Sequence, residues 1–138
     1  MIIAINEASS IPLYLQIHHQ IVQGISDGSL SPGEQLPTVR ALADEIGINS
    51  MTVSKAYQLL KQEKYISGDR RNGARVREDL SHVAGLSDKN RELLKQIVSE
   101  AKVGGMGRTE FLELCDRLYR EASSRKSPPE TLVCSTQN

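Results

Sequence analysis

Only two cysteines occur among the 138 residues, Cys115 inside a helical pattern and Cys134 in a polar tail. Neither shows metal-ligand spacing or a disulfide framework, which points to a reducing cytoplasm. No apolar run approaches the roughly 18 residues of a transmembrane helix, and Met1 to Ser10 lacks the basic start and apolar stretch of a secretion signal. A soluble, cytoplasmic protein with no membrane partner is expected. Also missing are a nucleophile beside a base, a carboxylate pair, a metal-ligand set and a phosphate-binding glycine loop. Those absences argue against an enzyme and call for no cofactor and no metal. His18, His19 and His82 are too scattered in the sequence for a metal site and read as surface residues.

Net charge is missing too, since 17 Lys and Arg balance 17 Asp and Glu. The balance hides a segregation. Residues 1–49 hold five acidic residues and one basic residue, Arg40. Residues 50–77 hold seven basic ones (Lys55, Lys61, Lys64, Arg70, Arg71, Arg75, Arg77) against Glu63 and Asp69. The second stretch therefore carries a cationic surface that the whole-chain figure conceals. A chain of this length has room for one compact domain, or for a small domain with an appendage.

What is present is mostly helical periodicity. Ser10 and Pro12 suit a helix start, after which Leu13, Ile17, Ile21 and Ile25 recur every four residues until Gly28. The connection "DGSLSPGEQLP" follows, with Leu30 and Leu36 expected to pin it to the core. A second helix begins after Thr38, an acceptable N-cap, and runs through Val39, Leu42, Ala43 and Ile46 to the stop at Gly47. A third begins at Asn49 or Ser50, either of which can cap it, and places Val53, Ala56, Tyr57 and Leu60 on one face. Ser50, Met51, Thr52, Ser54, Lys55 and Gln58 are left facing away from the core. "YISGDRRNGARVRE" reads as a hairpin with Tyr65 and Ile66 in one strand, Val76 in the next, and Asn72-Gly73 supplying the turn. Tyr57 and Tyr65 are expected at the core or its edge.

After Asp79 the pattern changes. Leu86 with Ser87 or Asp88 opens a helix carrying Leu93, Leu94, Ile97, Val98 and Ala101, stopped by Gly104-Gly105. Thr109 is expected to cap another, with Phe111, Leu114, Cys115, Leu118 and Ala122 along one side and Cys115 packed within that stripe. Two such helices cannot enclose a core alone. Residues 125–138 read as a disordered tail. The domain organisation is therefore a unit over 1–79, a two-helix segment over 80–124 and the tail.

Two short helices joined at Gly47, with small Ala43 four residues earlier and Val53 six later, meet the packing needs of a helix-turn-helix. Three helices followed by a hairpin with a basic tip make a winged helix, mainly α with a small β-hairpin wing. Helix three would enter the DNA major groove and the wing would lie along the adjacent backbone. Small hydrogen-bonding residues at the start of such a helix can reach phosphates or base edges. The DNA-binding set is accordingly Thr38, Arg40, Asn49, Ser50, Met51, Thr52, Ser54, Lys55, Arg70, Arg71, Asn72 and Gly73. Asn49 and Ser50 have an equally good role as caps. Arg70, Arg71, Arg75 and Arg77 together point to phosphate contact by the wing.

Residues 11–77 resemble the N-terminal winged-helix domain of GntR-type transcriptional regulators, most specifically in "GSLSPGEQLPTVRALA" and "INSMTVSKAY". The "TVSKAY" form and the short remainder beyond the wing resemble the YtrA subfamily, whose C-terminal segment is a pair of dimerising helices. The resemblance implies that Arg40 reads or clamps DNA, that Thr52 and Lys55 contact backbone or bases, and that Gly73 shapes the wing tip. It also implies frequent control of transporter operons. Many relatives carry arginine or proline at the position of Ser50, arginine at that of Ser54, and a G-T-F-like wing end where Ala74-Arg75 stand. Base preference is therefore particular to this chain.

The expected function is a homodimeric repressor that binds a palindromic double-stranded DNA operator. Leu93, Leu94, Ile97, Val98, Phe111, Leu114 and Leu118 would form the dimer interface. A winged helix serving only as a protein-interaction module is the alternative, and the basic stretch opposes it. Two helices offer little room for an effector pocket of roughly 300–1,000 Å³, so no small-molecule effector is named, and a site at a dimer or domain boundary is left open.

Overall fold

The computed structural model describes residues 2–69, 73–80 and 85–124. The expected tail over 125–138 lies outside them. Five helices and one two-stranded sheet follow in the order α1 (Leu13–Asp27), α2 (Val39–Ile46), α3 (Ser50–Gln62), β1 (Ile66–Asp69), β2 (Gly73–Val76), α4 (Asp88–Val103) and α5 (Arg108–Ser124). Two compact units divide the chain, residues 1–80 and 81–138. No helix among the described residues is long and apolar enough to cross a membrane.

In the first unit the four-residue repeat of α1 sends Ile17 and Ile21 into the core, where both are fully buried. Gly28 ends this helix in the left-handed conformation that glycine adopts without a Cβ penalty. Gly47 ends α2 in the same way, its N–H donating to the Ala43 carbonyl at 2.9 Å. Helix α3 packs on both α1 and α2. Its buried stripe of Val53, Ala56, Tyr57 and Leu60 meets Leu42, Ala43, Leu30 and Leu36 in one cluster. Each large aliphatic side chain fully buried in this way contributes about 1.5–3 kcal/mol.

The hairpin pairs Ile66 with Val76 and closes at Asp69 opposite Gly73, so the first strand starts at Ile66 and Tyr65 precedes it. The connection before α2 joins this sheet. Gly33 N–H donates to Val76 O at 2.9 Å, Val76 N–H to Glu34 O at 2.9 Å and Leu36 N–H to Ala74 O at 2.8 Å. Gln35 thereby forms an antiparallel bridge with Arg75. The segment before α1 is fixed as well. Gln16 exchanges hydrogen bonds with the Asn6 backbone at 2.9 and 3.0 Å, Gln20 does so with Ala4 at 2.9 and 2.6 Å, and Ile3 is buried.

In the second unit Ser87 caps α4 by accepting the Asn90 N–H, and the helix ends at Gly104. Helix α5 starts at Arg108, ahead of the expected cap Thr109, because the Gly107 carbonyl already accepts the Phe111 N–H at 2.9 Å. Every described side chain of α4 and α5 is exposed or half-buried. Cys115, expected to be packed, is consequently exposed.

Gly68 is where this fold tolerates least. Its φ is 150°, and a Cβ added there would lie 2.0 Å from the Gly73 carbonyl oxygen. Gly68→Ala should therefore push the two strands apart and cost about 1–3 kcal/mol, read as a lowered urea midpoint. An unchanged midpoint would show that the hairpin closes in another register.

Candidate nucleic-acid interface

The outward edge of α3 is organised from its first turn. Asn49 has extended backbone, and its Oδ1 accepts the Met51 N–H at 2.7 Å, so the cap falls to Asn49 and frees the Ser50 hydroxyl. With the apolar stripe inside, Ser50, Met51, Lys55 and Gln58 are exposed, and Thr52 and Ser54 are half-buried. Met51 is 76 % exposed. At the start of a helix such an apolar side chain is free to meet a sugar or a thymine methyl.

Lys55 is held from a direction the sequence does not announce. Its Nζ lies 4.1 Å from the centroid of the Tyr14 ring, a cation–π contact between α3 and the first turn of α1. Tyr14 is thus a neighbour of the candidate site that sequence reasoning missed, since only the crossing of the two helices brings it there.

Helix α2 contributes Thr38 and Arg40. Thr38 Oγ1 accepts the Ala41 N–H at 3.0 Å as the N-cap, and Arg40 stands exposed in the first turn. The start of this helix is tied to α3, because the Tyr57 hydroxyl donates to the Pro37 carbonyl at 2.8 Å. Burial pushes the Tyr57 hydroxyl well above its ordinary pKa, so it remains a donor at any working pH.

At the wing, Gly73 has φ 74° and begins the second strand. Arg70, Arg71 and Asn72, the expected tip residues, lie outside the described residues. Arg75 is exposed, and its guanidinium bonds to neighbouring groups of the protein: Nη1 donates to Gly33 O at 3.1 Å and Nη2 to Gln35 Oε1 at 3.4 Å. Arg77 is half-buried.

His18 is also corrected. Its side chain is only 13 % exposed, and Nε2 lies 2.6 Å from Glu63 Oε1, linking α1 to the residue that ends α3. The sequence separation of 45 positions hides this pairing. Among the described residues no group of three or more His, Cys, Asp or Glu side chains is placed to hold a metal ion.

Of the residues expected at a dimer interface, Leu93, Leu94, Ile97, Val98 and Leu118 are exposed, and Phe111 and Leu114 are half-buried. Leu112 and Tyr119 add exposed apolar surface to α5 that the periodicity did not single out.

Comparison with known proteins finds a matching family. The family described as "Bacterial regulatory proteins, gntR family" matches residues 13–76. The HTH-type transcriptional repressor YtrA of Bacillus subtilis is 38 % identical over 106 residues, which is 75 % of this chain and 82 % of that protein. Among solved structures, YtrA from Sulfolobus acidocaldarius, a GntR-family transcription factor, is 35 % identical with a TM-score of 0.58, covering 75 % of this chain and 99 % of that one. A protein of Listeria monocytogenes described as a transcriptional antiterminator is 28 % identical with a TM-score of 0.80, covering 88 % and 92 %.

The Tyr57 bond gives a direct check on how α2 is seated. Tyr57→Phe should cost roughly 1 kcal/mol by leaving the Pro37 carbonyl without its donor, and Thr38→Ala a similar amount through loss of the cap. Thermal unfolding of the two variants measures both, and a Tyr57→Phe protein as stable as the parent would remove this bond from the account.

Proposed function

The chain belongs to the GntR family of bacterial regulatory proteins, and from that premise we propose that it is a homodimeric repressor reading a palindromic operator. Membership itself makes it a DNA-binding transcriptional regulator rather than an enzyme. The observation that carries the finer reading is the outward edge of α3. Ser50, Met51 and Lys55 are exposed at the start of a helix whose opposite stripe is fully buried. A rigid helix with short polar side chains at its N-terminal end fits the major groove of double-stranded DNA, with Arg40 and the wing supplying phosphate contacts.

The dimer is supported by the exposed apolar rows of α4 and α5, which a second copy would cover under two-fold symmetry. Two copies of α3 related by that axis require half-sites about one helical turn apart, hence a palindrome. Repression follows the description of the Bacillus relative as a repressor. A transport operon is the proposed target class, from the resemblance to the short members.

Selection from random duplex DNA by the purified protein should enrich an inverted repeat, and anisotropy titrations on it should weaken steeply with salt. Arg40→Ala should reduce affinity on that duplex by about tenfold. No enrichment, or binding indifferent to salt, would end the operator reading. Light scattering should report a dimer for the parent and a monomer for the double variant Leu94→Asp, Leu118→Asp, while a monomeric parent would end the dimer reading.

A further inference from the structure

Resting on the DNA-binding reading above, we propose that Arg75 is a positioning residue for DNA binding: its guanidinium latches the wing to the strand that leads into α2, and it contacts no phosphate. Three backbone hydrogen bonds lay residues 33–36 along β2. Leu36, Ala74 and Val76 are buried beneath this pairing, whereas Gln35 and Arg75 meet at its one antiparallel bridge on the exposed side. The Arg75 fork spans it, reaching Gly33 O with one nitrogen and Gln35 Oε1 with the other. Gln35 also lies over Gly73, since a Cβ built there would sit 3.4 Å from Gln35 Nε2. One side-chain cluster thus joins the base of the wing to the segment that, two residues beyond Leu36, becomes the Thr38 cap and then Arg40.

Consequences for binding follow from this geometry. Arg40 and the wing must meet phosphates in a fixed mutual register, and the only described covalent path between them runs through α3 and the hairpin. The latch closes that long loop with a short one, so the wing and the start of α2 move as one piece. Arginine suits the task because its planar fork can hold a backbone carbonyl and an amide oxygen together, and a lysine ammonium cannot reproduce that span. Position 75 is also where the chain leaves the G-T-F-like wing end of the proteins it resembles.

The test uses the full chain with Arg75→Met, which keeps the stem, and Arg75→Lys, which keeps the charge. Affinity for a labelled mixed-sequence DNA duplex is measured against potassium chloride concentration, and hydrogen exchange at the Gly33, Leu36 and Val76 amides is measured on the free protein. Both variants should bind about fivefold more weakly with an unchanged salt slope, and the three amides should exchange about fivefold faster. A salt slope shallower by about one unit in Arg75→Met, or parental affinity in Arg75→Lys, would identify a phosphate contact and overturn the proposal. Unchanged exchange in the variants would overturn it too. If Arg75→Met does not fold, Arg75→Lys decides alone. Failure of the parent to bind the duplex would sink the DNA reading itself, whereas normal parental binding with either overturning result would sink only the role of Arg75.

Discussion

Burial of one stripe of α3 is the constraint on which the first unit depends. Val53, Ala56 and Leu60 are completely excluded from water and Tyr57 nearly so. A helix with one side fully committed has its rotation about its own axis fixed, because a turn of even one residue would expose a leucine and bury a lysine. The direction in which Ser50, Met51 and Lys55 point is therefore decided in the core, not at the surface. Helices α1 and α2 supply the two walls of that seat, and the hairpin completes it with Ile66 and Val76.

Much of this was readable in advance for a definite reason. Apolar residues at helical spacing, Gly28 and Gly47 at helix ends, and Thr38 and Asn49 at helix starts are local signals, each acting within a turn or two of chain. The resemblance to GntR-type regulators added the order of the parts. Local signals also have local errors: Thr109 is a good capping residue by type, yet the neighbouring Gly107 carbonyl begins the helix first. Cys115 followed the apolar spacing of α5, but spacing reports only which side of a helix a residue occupies and says nothing of whether that side is covered.

What escaped the sequence shares one property, which is that it is made between distant backbone and polar groups. The pairing of residues 33–36 with β2 uses main-chain donors in a segment rich in Gly and Pro, where no alternation advertises a strand. His18 with Glu63, Tyr14 with Lys55 and Tyr57 with the Pro37 carbonyl each depend on where helices cross. The candidate site was legible as a list of residues on α2 and α3. Its supports were not, because a polar side chain looks the same in sequence whether it meets DNA, water or a neighbouring loop.

The segment before α1 bears on where the autonomous folding unit begins. Family similarity starts at residue 13, but Ile3 lies in the core and the amides of Gln16 and Gln20 are zipped to the backbone of Asn6 and Ala4. A fragment trimmed to the matched span would open a hole beside α1 and strip two glutamines of their partners. The residues ahead of the first helix thus belong to the packed unit, and a cut placed between them and α1 would fall inside the fold rather than at its border.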